Sequence, residues 1–162
     1  FGGHKYAAGL TMKEENLSEF VRRFEEDVSK KITEQQLIPS LTIDGVISFN
    51  DLKKDKQNNP MPKLFRLIEQ MAPFGPANPR PNFEIKNVVD TGNSKIVGQK
   101  HLKLQLKERG SNKYIDGIWF NNASMLNKIQ QAESFSLVAA LSANTYMGNT
   151  KLQLMVKDVE LG

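Results

Sequence analysis

Two periodicities divide the chain. Leu17, Phe20, Val21, Phe24 and Val28 recur at helical spacing, which predicts a helix over about residues 14–32 with one apolar face. Thr11 and Glu14 are spaced as a capping box for its start. Glu19, Arg22, Arg23, Glu25 and Glu26 cover the other faces, so the two arginines read as a solvated surface and the apolar face as one that packs on a sheet. Tyr6–Thr11 is small and apolar enough for a buried strand. Leu41–Phe49 reads as strand, with Asp44-Gly45 as a hairpin turn. Residues 51–62 are polar and broken by proline, hence a loop or weak helix. Leu64, Phe65, Leu67, Ile68 and Met71 then resume helical spacing over about 62–72.

Beyond residue 82 the period becomes two. His101–Glu108 alternates cleanly, with Leu102, Leu104 and Leu106 on one face and Lys103, Gln105 and Lys107 on the other. Phe83–Val89, Tyr114–Phe120, Ser134–Ala143 and Lys151–Leu161 read as further strands, and Ser124–Gln131 as a short helix. Between the two regimes lie four prolines at 73, 76, 79 and 81, which exclude helix and central strand. The segment predicts either a stiff linker or a long loop inside one domain. On the linker reading the chain divides into 1–72, a linker at 73–82, and 83–162. The order of the last part, with its helix between the third and fourth strands, is that of a five-stranded OB-fold β-barrel.

Composition narrows the function classes. Of 162 residues, 39% are apolar and 25% charged, close to an ordinary globular balance. The net charge of +4 permits an acidic partner without demanding one. The chain has no cysteine, which excludes disulfides, thiol catalysis and Cys-ligated zinc within it and agrees with a cytoplasmic address. No apolar run approaches the ~18–20 residues of a membrane-spanning helix, so no membrane contact is expected. No charged-then-apolar leader is visible at the start. With two histidines about a hundred positions apart, His4 and His101, no clustered metal site is expected. His101, at the start of a strand, reads as a surface residue.

Gly2-Gly3-His4 could expose backbone N–H groups to an anion, with a histidine beside them; on three residues alone it reads equally as a turn followed by a surface histidine. The longer string from Phe1 to Thr11 resembles the glycine-glycine-histidine motif of the DHH-associated domain in the DHH phosphoesterase superfamily. Pro73-Phe74-Gly75-Pro76, with Asn78, Pro79 and Pro81, is similar to the segment preceding the OB domain of the RecJ single-stranded-DNA exonucleases. Gly117–Asn121, then Asn144, Tyr146, Gly148, Leu152–Leu154 and Lys157-Asp158, resemble later strands of that domain in the same order.

The resemblance implies an α+β chain: the C-terminal part of a DHH-associated domain over 1–72, then an OB domain. It implies a cytoplasmic parent that degrades single-stranded DNA from the 5′ end in recombination and repair, using Mn2+ or Mg2+. The metal would sit in an upstream Asp-His-His domain that this chain lacks. Because the chain opens at Phe1 inside a motif, it reads as a fragment that binds no cofactor and is inactive alone. Gly2, Gly3 and His4 would contact substrate phosphates. The partners implied are single-stranded DNA, the upstream catalytic domain, and a helicase or single-strand-binding protein.

Single-strand binding combines a basic track with aromatic faces for stacking. From 86 to 113 the basic residues are Lys86, Lys95, Lys100, Lys103, Lys107, Arg109 and Lys113, against only Asp90 and Glu108. If Ile118 and Phe120 face inward, Trp119 faces out beside the lysine row; the opposite register puts Trp119 in the core. Tyr114 and Tyr146 are further stacking candidates, and Lys151 extends the basic set. The nucleic-acid candidates are therefore Lys100, Lys103, Lys107, Tyr114, Trp119, Tyr146 and Lys151. The alternative is a merely solvated lysine face on a domain that docks a protein or braces the nuclease.

Overall fold

The computed structural model describes residues 2–4, 7–53 and 61–162. Phe1 and Tyr6 of the first motif, and most of the polar stretch 51–62, lie outside the described residues. The chain forms two compact units, residues 1–41 and 42–162.

In the first unit, β1 (Gly2–His4) pairs antiparallel with β2 (Ala7–Gly9). Ala7–Gly9 is extended as the sequence suggests, but exposed rather than buried. A Cβ on Gly3 would come within 3.1 Å of the Ala8 Cβ, so a larger residue here would have to push the facing strand away by a few tenths of an ångström. A 3-10 turn at Glu14–Asn16 leads into α1 (Leu17–Lys31). Thr11 does not cap it: the residue before the turn is Lys13, without a side-chain cap, so the box expected at Thr11/Glu14 does not form. A capping box forms instead at Thr33, where the Gln36 side chain accepts the Thr33 N–H at 2.9 Å and starts α2 (Glu34–Leu37). On α1, Arg22 bridges Glu19 and Glu26, and Arg23 also reaches Glu19, so both arginines are solvated-face residues. The Glu19 carboxyl is held at about 2 by hydrogen bonds first from Arg22 and then from Arg23. The apolar face of α1 is not buried against a sheet: Leu17, Val21 and Phe24 are exposed, and the Phe20 and Phe24 rings stack at 5.7 Å.

The second unit is built on β3 (Gly45–Val46), α3 (Lys63–Glu69), β4 (Asn82–Asp90), β5 (Lys95–Val97), β6 (His101–Glu108), β7 (Tyr114–Trp119), α4 (Leu126–Gln131), β8 (Phe135–Tyr146) and β9 (Asn149–Leu161). The strands make one seven-stranded sheet in the order β3-β4-β8-β9-β7-β6-β5. This overturns the five-stranded OB-fold β-barrel expected from the sequence. Two further strands, β3 and β5, stand at the ends of the order, each paired on one side only. The mixed helix-and-sheet character holds.

Strand β4 bends in the middle. Asn87 takes a positive φ of 55°, the register slips between Ile85 and Val88, and Arg109 N–H donates to the Asn87 carbonyl at 2.8 Å. Ahead of this bulge β4 pairs with β8; past it, Val88–Asp90 pair with β6. No hairpin forms at Asp44-Gly45. The Asp44 carboxylate accepts the Asn82 N–H at 2.9 Å, and Gly45–Val46 run parallel to Phe83–Glu84.

One core joins segments on both sides of the prolines. Phe49, Leu52, Met61, Phe65 and Ile68 pack in the same cluster as Ile85, Leu102, Leu104, Leu106, Leu137 and Leu154. The proline-rich segment is thus a loop within the second unit, and the chain divides at 41/42 rather than at 73–82. Arg80 holds this loop from three sides: its guanidinium lies 4.2 Å from the Phe74 ring centre, pairs with Glu69, and donates to the Leu141 carbonyl at 3.1 Å. Asn78 donates to the carbonyls of Met71 and Pro73.

Two outcomes follow from this packing. Ile68→Ala should destabilise the sheet itself by roughly 2–5 kcal/mol, because the lost side chain leaves a cavity in the shared core. Urea unfolding followed by Trp119 emission reports it; an unchanged midpoint would mean that α3 folds apart from the sheet. The Asp51 carboxylate accepts both the Ser48 N–H and its hydroxyl at 2.8 Å, which lowers its pKa, the backbone bond contributing most. Its stabilisation is complete above the unfolded value of about 3.9 and fades as pH falls through the lowered folded value. Asp51→Asn should therefore flatten the decline of Tm below about pH 4 in an acid melting series.

Candidate nucleic-acid interface

The alternation in β6 fixes the outer face of the sheet. Leu102, Leu104 and Leu106 are fully buried, so Lys103, Gln105 and Lys107 must point the other way. Register carries the pattern across neighbouring strands. Lys103 stands opposite Lys95 on β5 and Ile118 on β7; Gln105 opposite Asp116; Lys107 opposite Tyr114. Asp116 and Ile118 then face Gln153 and Met155 on β9. On β8 the partners are Ser142 for Gln153 and Asn144 for Lys151.

This same register inverts the facing of Trp119 considered first. Gly117 and Trp119 share the inner face with the β6 leucines, and Trp119 is only 6% exposed. Trp119 is a core residue and cannot stack on a base. Phe120 lies past the strand end, exposed, and its ring meets His101 edge-on at 5.1 Å. His101 Nδ1 accepts the Asn121 N–H at 3.0 Å, a structural role at the strand end.

Strands β8 and β9 extend beyond the rest of the sheet as a hairpin. Met147 and Gly148 both have positive φ, 47° and 77°, the signature of a two-residue type I′ turn. The Thr145 and Thr150 hydroxyls bond across it at 2.8 Å. Tyr146 is the last residue of β8, and 72% of it is exposed.

A cleft of about 570 Å³ opens between this hairpin and the outer face. Lys103, Asp116, Gln153, Lys151, Asn144, Asn149, Met147 and Tyr146 line it. Three candidates from the sequence, Lys103, Tyr146 and Lys151, therefore meet in one place. Among the described residues neither lysine is ion-paired, whereas Arg22, Arg23, Arg80 and Arg109 all are. Free ammonium groups beside an exposed phenol ring can hold an anionic chain and stack a flat ring.

The other candidates lie elsewhere. Tyr114, exposed and opposite Lys107, lines a separate cleft of about 480 Å³ with Phe49, Leu52, Lys53, Lys113 and Ile115. Lys100 is exposed beside the turn between β5 and β6, outside both clefts. Gly2, Gly3 and His4 are exposed in the first unit. Asp116 and Asn149 carry no signal in the sequence, and Asn144 and Gln153 stand there only within the stretches that resemble the family's later strands. The alternation of β9 also marks Gln153 as outward.

Among the described residues no three His, Asp or Glu side chains gather where a metal ion could sit. The residues described do not fit a Mn2+ or Mg2+ site, and no hydrolytic step is assigned to them. Among the same residues no helix is long and apolar enough to cross a membrane.

The fold and this cleft belong to a mixed helix-and-sheet unit with a basic, aromatic-lipped outer face. The family model for the RecJ OB domain matches residues 43–158, and the chain belongs to that family. It is 30% identical over 98% of its length to the single-stranded-DNA-specific exonuclease RecJ of Bacillus subtilis, covering 19% of that protein. It is also 30% identical to the exonuclease of the same name from Escherichia coli, again over 98% of the chain and 26% of the relative. A crystal structure of RecJ in complex with Mg2+ from Thermus thermophilus shares the fold, with a TM-score of 0.59 at 20% identity, over 99% of this chain and 23% of that one. The chain thus spans about a fifth to a quarter of the length of these relatives.

The burial of Trp119 has a direct readout. Iodide should barely quench its emission in the folded protein and quench it fully in denaturant. Strong quenching in the folded state would place Trp119 on the outer face after all.

Proposed function

We propose that this chain is the single-strand-gripping part of a RecJ-type exonuclease whose metal-dependent hydrolysis takes place in another domain. The observation that carries this reading is the convergence of Lys103, Lys151 and Tyr146 on one cleft, with both ammonium groups unpaired among the described residues. A single strand presents phosphates at regular intervals and can turn its bases outward, as a duplex cannot. The lysines would take phosphates and Tyr146 a base face, without any fixed sequence along the strand. Lys107 and Lys100 would lengthen the basic track. In the first unit, Gly2, Gly3 and His4 would help position backbone phosphates.

Anisotropy titration of a labelled oligo-dT against salt tests the grip. Lys103→Glu combined with Lys151→Glu should weaken binding at least tenfold at low salt. It should also make the slope of log K against log salt shallower by about 1.4, at roughly 0.7 per lost phosphate contact on a single strand. Tyr146→Ala should cost about 1–3 kcal/mol of affinity and leave the slope alone. Unchanged affinity in both variants, with unchanged melting, would make the face a protein-docking or bracing surface instead.

A further inference from the structure

The lining of the cleft includes a carboxylate that a simple phosphate track has no use for. Asp116 is half-buried and lines the cleft together with Lys103 and Lys151, and its β7 position pairs with Gln105 and Gln153 on the neighbouring strands. Among the described residues its side chain makes no ion pair or hydrogen bond, and the carboxamide oxygen of Gln105 is taken by Thr91 and Asn93. A negative charge here repels phosphate, so a strand lying in the cleft settles with phosphates on the lysines and something else at Asp116.

We propose that Asp116 makes the cleft a reader of guanine, an inference that rests on the single-strand reading given above. A carboxylate accepts two parallel hydrogen bonds from a pair of adjacent donors. Among the bases only guanine offers such a pair, N1–H and the exocyclic N2–H. Adenine and cytosine offer one amino group, thymine a lone ring N–H. The remaining polar atom of that edge, O6, is an acceptor, and the free ammonium groups of Lys103 and Lys151 are the donors that line the same cleft. Tyr146 supplies the ring to stack on. Carboxylate, ammonium and phenol lining one cleft bring together the groups that one base needs within an otherwise indifferent track.

The test uses a short oligo-dT, the same strand with one central dG, and the same strand with one central dI, which lacks the 2-amino group. The dG strand should bind about tenfold tighter than plain dT, the range expected of a good bidentate base contact. The dI strand should lose most of that advantage. The ratio should persist as salt rises, because this contact releases no counterions. Asp116→Ala should abolish the ratio while binding plain dT at least as tightly as before, since a repulsive charge has gone. Asp116→Asn, nearly isosteric, should also reduce the ratio and stands in if the alanine variant melts early. Equal affinity for dG and dT strands in the unaltered chain, with dT binding salt-dependent, would overturn the guanine site and leave the grip intact. No binding to any strand would overturn the grip itself, and the guanine site with it.

Discussion

The burial of three leucines in β6 constrains nearly everything else on the outer face. Leu102, Leu104 and Leu106 are buried in the same core as Leu137 and Leu154. A strand has two faces and a period of two, so their burial leaves the lysines and Gln105 no alternative. Cross-strand register then transmits this choice to β7 and β9 and aligns Asp116 with Gln153. A slip of one residue would bring Lys103 and Lys107 into an apolar core, at a cost no small domain could meet. The functional face is therefore a by-product of core packing.

The basic residues of the cleft differ from the arginines in what they are paired to. Four arginines are engaged inside the chain: Arg22 and Arg23 along α1, Arg80 under the proline loop, Arg109 against Glu133. The planar guanidinium makes several directed bonds at once and suits such fixed joints. Lys103 and Lys151 on the sheet face have no such partner among the described residues. A flexible ammonium on a long stem can follow a backbone whose phosphates shift from register to register. Lysines elsewhere do pair within the chain, Lys31 with Asp27 and Lys86 with Glu84, so it is the cleft rather than the residue type that sets Lys103 and Lys151 apart.

Regular segments were legible from periodicity alone. His101–Glu108 has the bounds its alternation demands, and α1 and α3 lie where the apolar spacing puts them. Where local pattern and long-range pairing compete, the sequence misleads. Leu41–Phe49 has the look of a hairpin, yet Asp44 is drawn to the backbone of Asn82, 38 residues later. Lys95–Val97 is too short to show a period and takes its strand form from β6. The prolines imply a boundary because proline cannot continue regular structure, but a rigid loop can be anchored as firmly as a strand, and Arg80 does so. For Trp119, isoleucine, tryptophan and phenylalanine in succession leave the facing undetermined; only the pairing with β6 decides it. The cleft was half visible: its lysines and its tyrosine could be named, but neither Asp116 nor the turn at Met147-Gly148 that shapes it.

The place of β9 in the sheet has a consequence for how the unit comes into being. It lies between β8 and β7, pairing with both, yet follows them in the chain. Strand β4, likewise, meets β8 only across some fifty intervening residues. Pairings of such long range carry a large loop-closure cost before any contact rewards it, which makes for slow folding. During synthesis the leucine face of β6 must wait, without its partners in β8 and β9, until nearly the whole unit has been made. That interval, more than the finished fold, is where this sequence is most exposed to misassociation.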